Sequence, residues 1–82
     1  MNIDLVNGTY STSEAMELVS RLVEAKIGFL RDRIEATTNE EDIKMRERRI
    51  RLIQEELHRT RAILLGVSES CDVVTSIGIE HR

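Results

Sequence analysis

Lys26 is the residue most suggestive of chemistry, because it falls near the middle of an apolar arc on a helical stretch. Arg33 lies close to the same line. A buried amine can act as a nucleophile or bind an anion. More often such a lysine extends its amine to solvent or pairs with a carboxylate on a facing helix, here Glu47 or Glu55. The pattern therefore favours a buried structural charge at Lys26 and Arg33, with a ligand-binding or hydrolase-like role as the weaker alternative.

The second half of the chain carries seven lysine and arginine residues between residues 44 and 61. Phosphate binding requires cations clustered on one face, and Arg48, Arg49 and Arg59 are the candidate contacts. These cations scatter around a helix, no aromatic residue is interleaved for base stacking, and the formal net charge is -3. Nucleic-acid binding is therefore the alternative function, and a solvated, salt-bridged face is favoured.

Catalytic and metal-binding patterns are weak throughout the sequence. Cys71 is the only cysteine, which leaves no partner for an internal disulfide, and only His58 and His81 could join it as soft metal ligands. His58 has no nucleophile beside it, and phosphate loops and nucleophile elbows are absent. The sequence therefore predicts no enzyme activity, no metal and no cofactor.

Size and composition point to a helical protein that associates with other chains. The 82 residues suffice for one domain, 1–82, and contain no proline or tryptophan and 33% charged residues. No apolar run is long enough for a membrane span, the N-terminus lacks the features of a signal peptide, and an unpaired cysteine fits the cytoplasm. Since small domains need disulfides, metals or oligomerisation, self-association is the remaining route to a larger core.

The first half of the chain predicts a strand followed by a helix. Alternating residues indicate a strand over about 2–6, ended by a turn at Asn7-Gly8. Ser11 and Glu14 match a capping box, and a helix is predicted over about 11–36. Its apolar positions span about 200° of the helix, wide enough to contact two neighbours.

The second half predicts a longer helix and a final strand. Thr38 and Glu41 match a second capping box before a helix over about 40–69, and period-two alternation indicates a strand over about 73–79. Along the helix, an apolar residue recurs every seven positions and is interrupted by Arg46. Met45, Leu52 and Ile63 form a thinner second apolar line on the opposite side. The two strands could pair with each other or across a dimer, because two strands alone are marginal.

The segment Ile3–Ser11 followed by Glu14-Ala15, together with Lys26-Ile27-Gly28-Phe29, resembles a family of small bacterial helical-hairpin proteins of unknown function. In that family a charged second helix and a strand-like tail follow, as Val73 to Ile79 do here. The second helix of this chain has a shorter, less lysine-rich end. The resemblance implies a bacterial cytoplasmic protein and supplies no catalytic residues.

These patterns predict a mainly α fold, an antiparallel two-helix hairpin with short terminal β-strands, dimerising into a four-helix bundle. The expected role is a homo-oligomeric protein-interaction module without catalysis, whose partners are itself and an unidentified protein. The residues predicted to pack in the hairpin or the dimer interface are Leu18, Leu22, Phe29, Ile43, Ile50, Leu57 and Leu64.

Overall fold

A computed structural model describes residues 1–67 and 69–82. It also describes the burial of every side chain in these ranges except that of Val67. The elements follow in the order β1 (Asn2–Ser11), α1 (Thr12–Glu35), α2 (Glu40–Val67) and β2 (Ser70–Gly78). The protein is mainly helical, with two helices and a two-stranded antiparallel sheet. The predicted helical hairpin with terminal strands is therefore confirmed. The second helix was predicted to end at about residue 69, and α2 is helical to Val67. Ser68 lies outside the described residues, and Glu69 is not helical.

The two strands pair with each other within one chain, which decides between the two pairings that the sequence left open. The register joins Asn2 to Gly78 at one end and Ser11 to Ser70 at the other, with a bulge between Asp4 and Val6. We call this pair of strands the ribbon. Strand β2 begins three residues earlier than the alternation predicted and ends one residue earlier.

The predicted turn at Asn7-Gly8 is wrong, because β1 runs through it to Ser11. Asn7 pairs with Val74 and Gly8 with Val73, so both residues are held in the ladder. A tight hairpin turn at Asn-Gly requires positive φ, and no residue in the described part of the chain has one. The partner strand, which lies more than sixty residues away in sequence, keeps this dipeptide extended.

The start of α1 is confirmed at its cap. The Glu14 backbone N–H donates to Ser11 Oγ at 3.1 Å, and the Ser11 hydroxyl donates to the Glu14 carboxylate at 2.9 Å. The glutamate thus accepts from the serine side chain. Because Ser11 is also the last residue of β1, one side chain both ends the strand and begins the helix.

Helix α2 begins at Glu40, as predicted, but Asn39 caps it where Thr38 was expected to do so. The Asp42 N–H donates to Asn39 Oδ1 at 3.1 Å, and the Ile43 N–H donates to the Asn39 carbonyl at 3.0 Å. Asn39 stands directly before the first helical residue, where a short side chain reaches the free amides of the first turn. Thr38 lies one residue too early for this contact.

The core is small and lies in the hairpin. Ile27 and Leu30 of α1 pack against Ile50 of α2, with Val23, Ile34 and Ile53 around them. A second buried group joins the start of α1 to the ribbon, and its members are Val6, Thr12, Ala15 and Met16. The molecule measures 45 × 31 × 14 Å between Cα atoms, and its thinnest dimension allows little more than one helix over one strand layer.

Candidate interaction surface

The residues predicted for packing or dimerisation divide into two groups. Ile50 is buried against α1, and Ile43, Leu57 and Leu64 are half-buried on the same heptad line of α2. The heptad line of α2 is therefore the side of this helix that faces α1 inside the hairpin. Leu18 and Leu22 of α1 are half-buried, while Phe29 of α1 has 51% of its surface exposed. Of the set, Phe29 is the residue with the most apolar surface left for another chain.

The thinner apolar line predicted from the sequence of α2 lies at the surface. Met45, Leu52 and Ile63 have between 43% and 64% of their surface exposed. At 100° per residue they lie about 200–220° around the helix from Ile50. We call these three residues the outer line of α2. Leu52 borders the groove between the helices that Lys26 and Leu30 of α1 also line. Nothing in the described part of the chain buries the outer line.

Lys26 and Arg33, the possible buried charges of the sequence, lie at the surface of the single chain. Both side chains are exposed. Lys26 lines a shallow groove between the helices together with Arg49 and Glu56, so its amine reaches solvent at the edge of the apolar arc. The Arg33 guanidinium carbon stands 5.0 Å from the centroid of the Phe29 ring, a cation–π contact at the surface. Of the two structural alternatives for Lys26, extension to solvent or pairing on a facing helix, the single chain shows the first, because the broad arc of α1 is only partly covered by α2 and the ribbon.

The arginines of α2 are mainly solvated. Arg48, Arg49 and Arg59 are exposed, and none of the ion pairs in the described part of the chain involves them. Arg46, which interrupts the apolar heptad line, is half-buried and its Nε donates to Asp42 at 3.1 Å. Arg61 donates to Ser20 Oγ at 3.0 Å and so links α2 to α1.

The described residues hold no group of side chains placed to bind a metal ion. Cys71 is half-buried in the ribbon, His58 is exposed, and no three potential metal ligands of the described chain meet. Within the same residues, neither helix has an apolar stretch long enough to cross a bilayer.

The open end of the ribbon is a further apolar surface, which was not predicted from the sequence. Ile3, Ile77 and Ile79 are each between 41% and 50% exposed. The signal for it was the continued alternation of apolar residues to the end of β2. Its exposure depends on how far α1 extends under the ribbon, which the alternation does not encode.

Comparison of this chain with known protein families, with curated proteins and with solved structures found no match. The resemblance carried by the opening segment and by Lys26-Ile27-Gly28-Phe29 thus stays a prediction.

Proposed function

We propose that the protein is a homo-oligomeric protein-interaction module without catalysis, acting in the bacterial cytoplasm as a homodimer. One folded chain leaves a large area of its surface in water, and the arrangement and chemistry of that surface suggest what covers it.

The accessible surface of the single chain carries the proposal. The chain exposes 6751 Å². A compact monomer of 9.4 kDa would expose about 5,000 Å², so this chain exposes about 1,700 Å² more. Obligate homodimers bury about 1,000 Å² or more on each chain. The excess is therefore of the size that a stable dimer interface covers.

The shape of the chain agrees with this area. Its Cα radius of gyration is 15.3 Å, whereas a compact domain of 82 residues has a radius of about 12 Å. A flat and elongated chain offers few positions where a side chain is surrounded on all sides. Two such chains stacked on each other provide the missing layer.

The exposed apolar side chains indicate where the layer would be added. Phe29 lies on the hairpin at nearly the same angle around α1 as Leu18 and Leu22, and burial of such residues is the main favourable term in association. Two hairpins packed through this face of α1 would form a four-helix bundle and would leave the outer line of α2 for another contact. Leu18 and Leu22, half-buried in one chain, would then complete their burial against the second.

The mass of the protein in solution tests the proposal directly. Sedimentation velocity and light scattering after gel filtration, over a wide range of dilution, should give a particle of about twice 9.4 kDa that dissociates only on strong dilution. Salt should have little effect, because apolar burial is not screened. A folded monomer at every concentration would refute the homo-oligomer.

A small nucleic-acid-binding regulator is the second candidate, and the solvated side chains of Arg48, Arg49 and Arg59 are the observation in its favour. This function predicts retention on heparin and an affinity that falls steeply as salt rises. The slope of log affinity against log salt concentration should be about one unit per phosphate contact. The interaction module should pass through heparin at moderate salt. Replacing the three arginines by glutamine should leave the solution mass unchanged, and in the alternative function it should abolish heparin retention.

A further inference from the structure

The ribbon has one apolar face, and α1 covers only part of it. Cys71, Val73 and Thr75 alternate along β2 on the half-buried side. Ile77 continues the same face and pairs across the ribbon with Ile3. Beyond Ile77 the backbone groups of Met1 and Ile79 are hydrogen-bonded to each other, which extends the pairing to the chain ends.

Exposure changes sharply along this face. Val6, opposite Thr75, is 8% exposed, whereas Ile3 is 47%, Ile77 is 41% and Ile79 is 50% exposed. We call Ile3, Ile77 and Ile79 the ribbon tip. The tip belongs to the face that a helix covers elsewhere in the fold, and it has no helix over it within the described chain.

The opposite face of the ribbon is polar and needs no cover. Asn7, Thr9 and Asp72 lie on it, and the Thr9 hydroxyl donates to the Asp72 carboxylate across the two strands. Val74 is the exception, with 73% of its surface exposed beside these polar groups. The apolar surface of the tip therefore follows the packing face of the ribbon and is not a general property of these strands.

The outer line of α2 is the surface of this protein that best fits the ribbon tip. It is apolar and exposed, and it lies on a helix, the kind of element that covers the rest of the same face. Within the described residues, the ribbon of the same chain packs on α1 and not on α2. A ribbon tip therefore reaches the outer line more readily when the helix belongs to a second chain.

We propose that the ribbon tip of each chain packs on the outer line of α2 of a second copy, in a reciprocal arrangement around a two-fold axis. In such an interface each surface is used twice, so two tips and two helices are covered together. This inference rests on the proposed homodimer and names the residues that hold it. It uses part of the excess surface of about 1,700 Å² per chain estimated from chain mass.

The test replaces Ile3 and Ile77 together by threonine, which keeps a β-branched side chain in each strand and removes apolar surface. Four apolar contacts per dimer are weakened, and we expect the dimer dissociation constant to rise at least about a hundredfold, measured by sedimentation. Val74→Thr is the matched control, because it makes the same kind of change on the polar face of β2. It should leave the dissociation constant within about threefold.

A cross-linking experiment places the contact independently and does not require a weakened variant to fold. In a Cys71→Ser background, Ile77→Cys is combined with Met45→Cys, Leu52→Cys or Ile63→Cys, and disulfides are formed by mild oxidation. We expect a covalent dimer with at least one of the three, since a disulfide requires Cα atoms within about 7 Å. Val74→Cys in place of Ile77→Cys should give none.

The outcomes separate this inference from the proposed homodimer. A monomeric wild-type protein overturns both. A wild-type dimer that survives Ile3→Thr with Ile77→Thr, or that forms no covalent dimer with any cysteine pair, overturns the ribbon-tip contact and leaves the homodimer standing. Equal weakening by Val74→Thr also overturns it, because the contact would then lie on the other face or along the strand edge.

Discussion

Replacing Leu30 by alanine tests the hairpin core most directly. Leu30 is 2% exposed and packs with Ile27 and Ile50 where the two helices meet. Phe29, the residue before it, is 51% exposed on another face of the same helix. The two positions share their backbone environment and differ in what surrounds the side chain, so Phe29→Ala is the matched control.

The expected loss follows from the burial of Leu30. Buried leucine-to-alanine changes cost about 2–5 kcal/mol, the larger values arising where the surroundings cannot relax. A layer only 14 Å thick can relax, so we expect about 2–3 kcal/mol for Leu30→Ala. A domain of this length has a total stability of about 4–12 kcal/mol, so the loss is a large fraction of it. Phe29→Ala should cost about 1 kcal/mol in the isolated chain.

Urea denaturation followed by far-UV circular dichroism measures both effects. With a slope of about 1 kcal/mol per molar urea, Leu30→Ala should lower the midpoint by about 2 M. This shift should be the same at every protein concentration. The shift caused by Phe29→Ala should grow with concentration, because a dimer contributes more to stability as its concentration rises.

Two results would refute this reasoning. If Leu30→Ala cost less than about 1 kcal/mol, Leu30 would not lie in a packed core. If Phe29→Ala cost as much as Leu30→Ala at the lowest concentration, the core would not be where the hairpin places it.

Two further predictions concern local structure. Asn39→Ala should lower the free energy of unfolding by about 1 kcal/mol, because it removes the cap of α2. Thr38→Ala should change this free energy by only about a few tenths of a kcal/mol. Equal effects of the two substitutions in urea denaturation would contradict the assignment of the cap. Gly28 lies within α1, and a Cβ added there meets no atom within 4 Å. Gly28→Ala should therefore stabilise the isolated chain by about 0.5–1 kcal/mol and raise its thermal midpoint. If Gly28→Ala instead weakened the dimer in sedimentation, a second chain would approach the helix closely at this position.

The sequence alone predicted the helical hairpin and its terminal strands. The capping residue Ser11, the seven-residue recurrence of Ile50 and its neighbours, and the alternation along β2 are local signals. Local signals suffice because a helix or strand is selected by residues within a few positions of one another. The boundaries moved by one to three residues at most of the ends, since caps and strand ends are shared between adjacent elements.

The extent of β1 and the placement of the charged residues depended on tertiary structure. Asn7-Gly8 is a turn signal on its own, and only the partner strand that starts at Ser70 keeps it extended. Lys26 lies within the apolar arc on a helical wheel, yet it reaches solvent because neither α2 nor the ribbon covers that edge of α1. A wheel gives directions around one helix, whereas burial depends on which neighbour occupies each direction.

The candidate surface required both kinds of information. The sequence identified Phe29 and the outer line of α2 as apolar, since residue type and spacing are sufficient for that. The tertiary structure decided that Ile50 is used inside the hairpin while Leu52 and the ribbon tip remain in water. Apolar character is a property of each side chain, but exposure is set by the arrangement of every element around it, and that arrangement leaves this thin molecule with uncovered apolar faces.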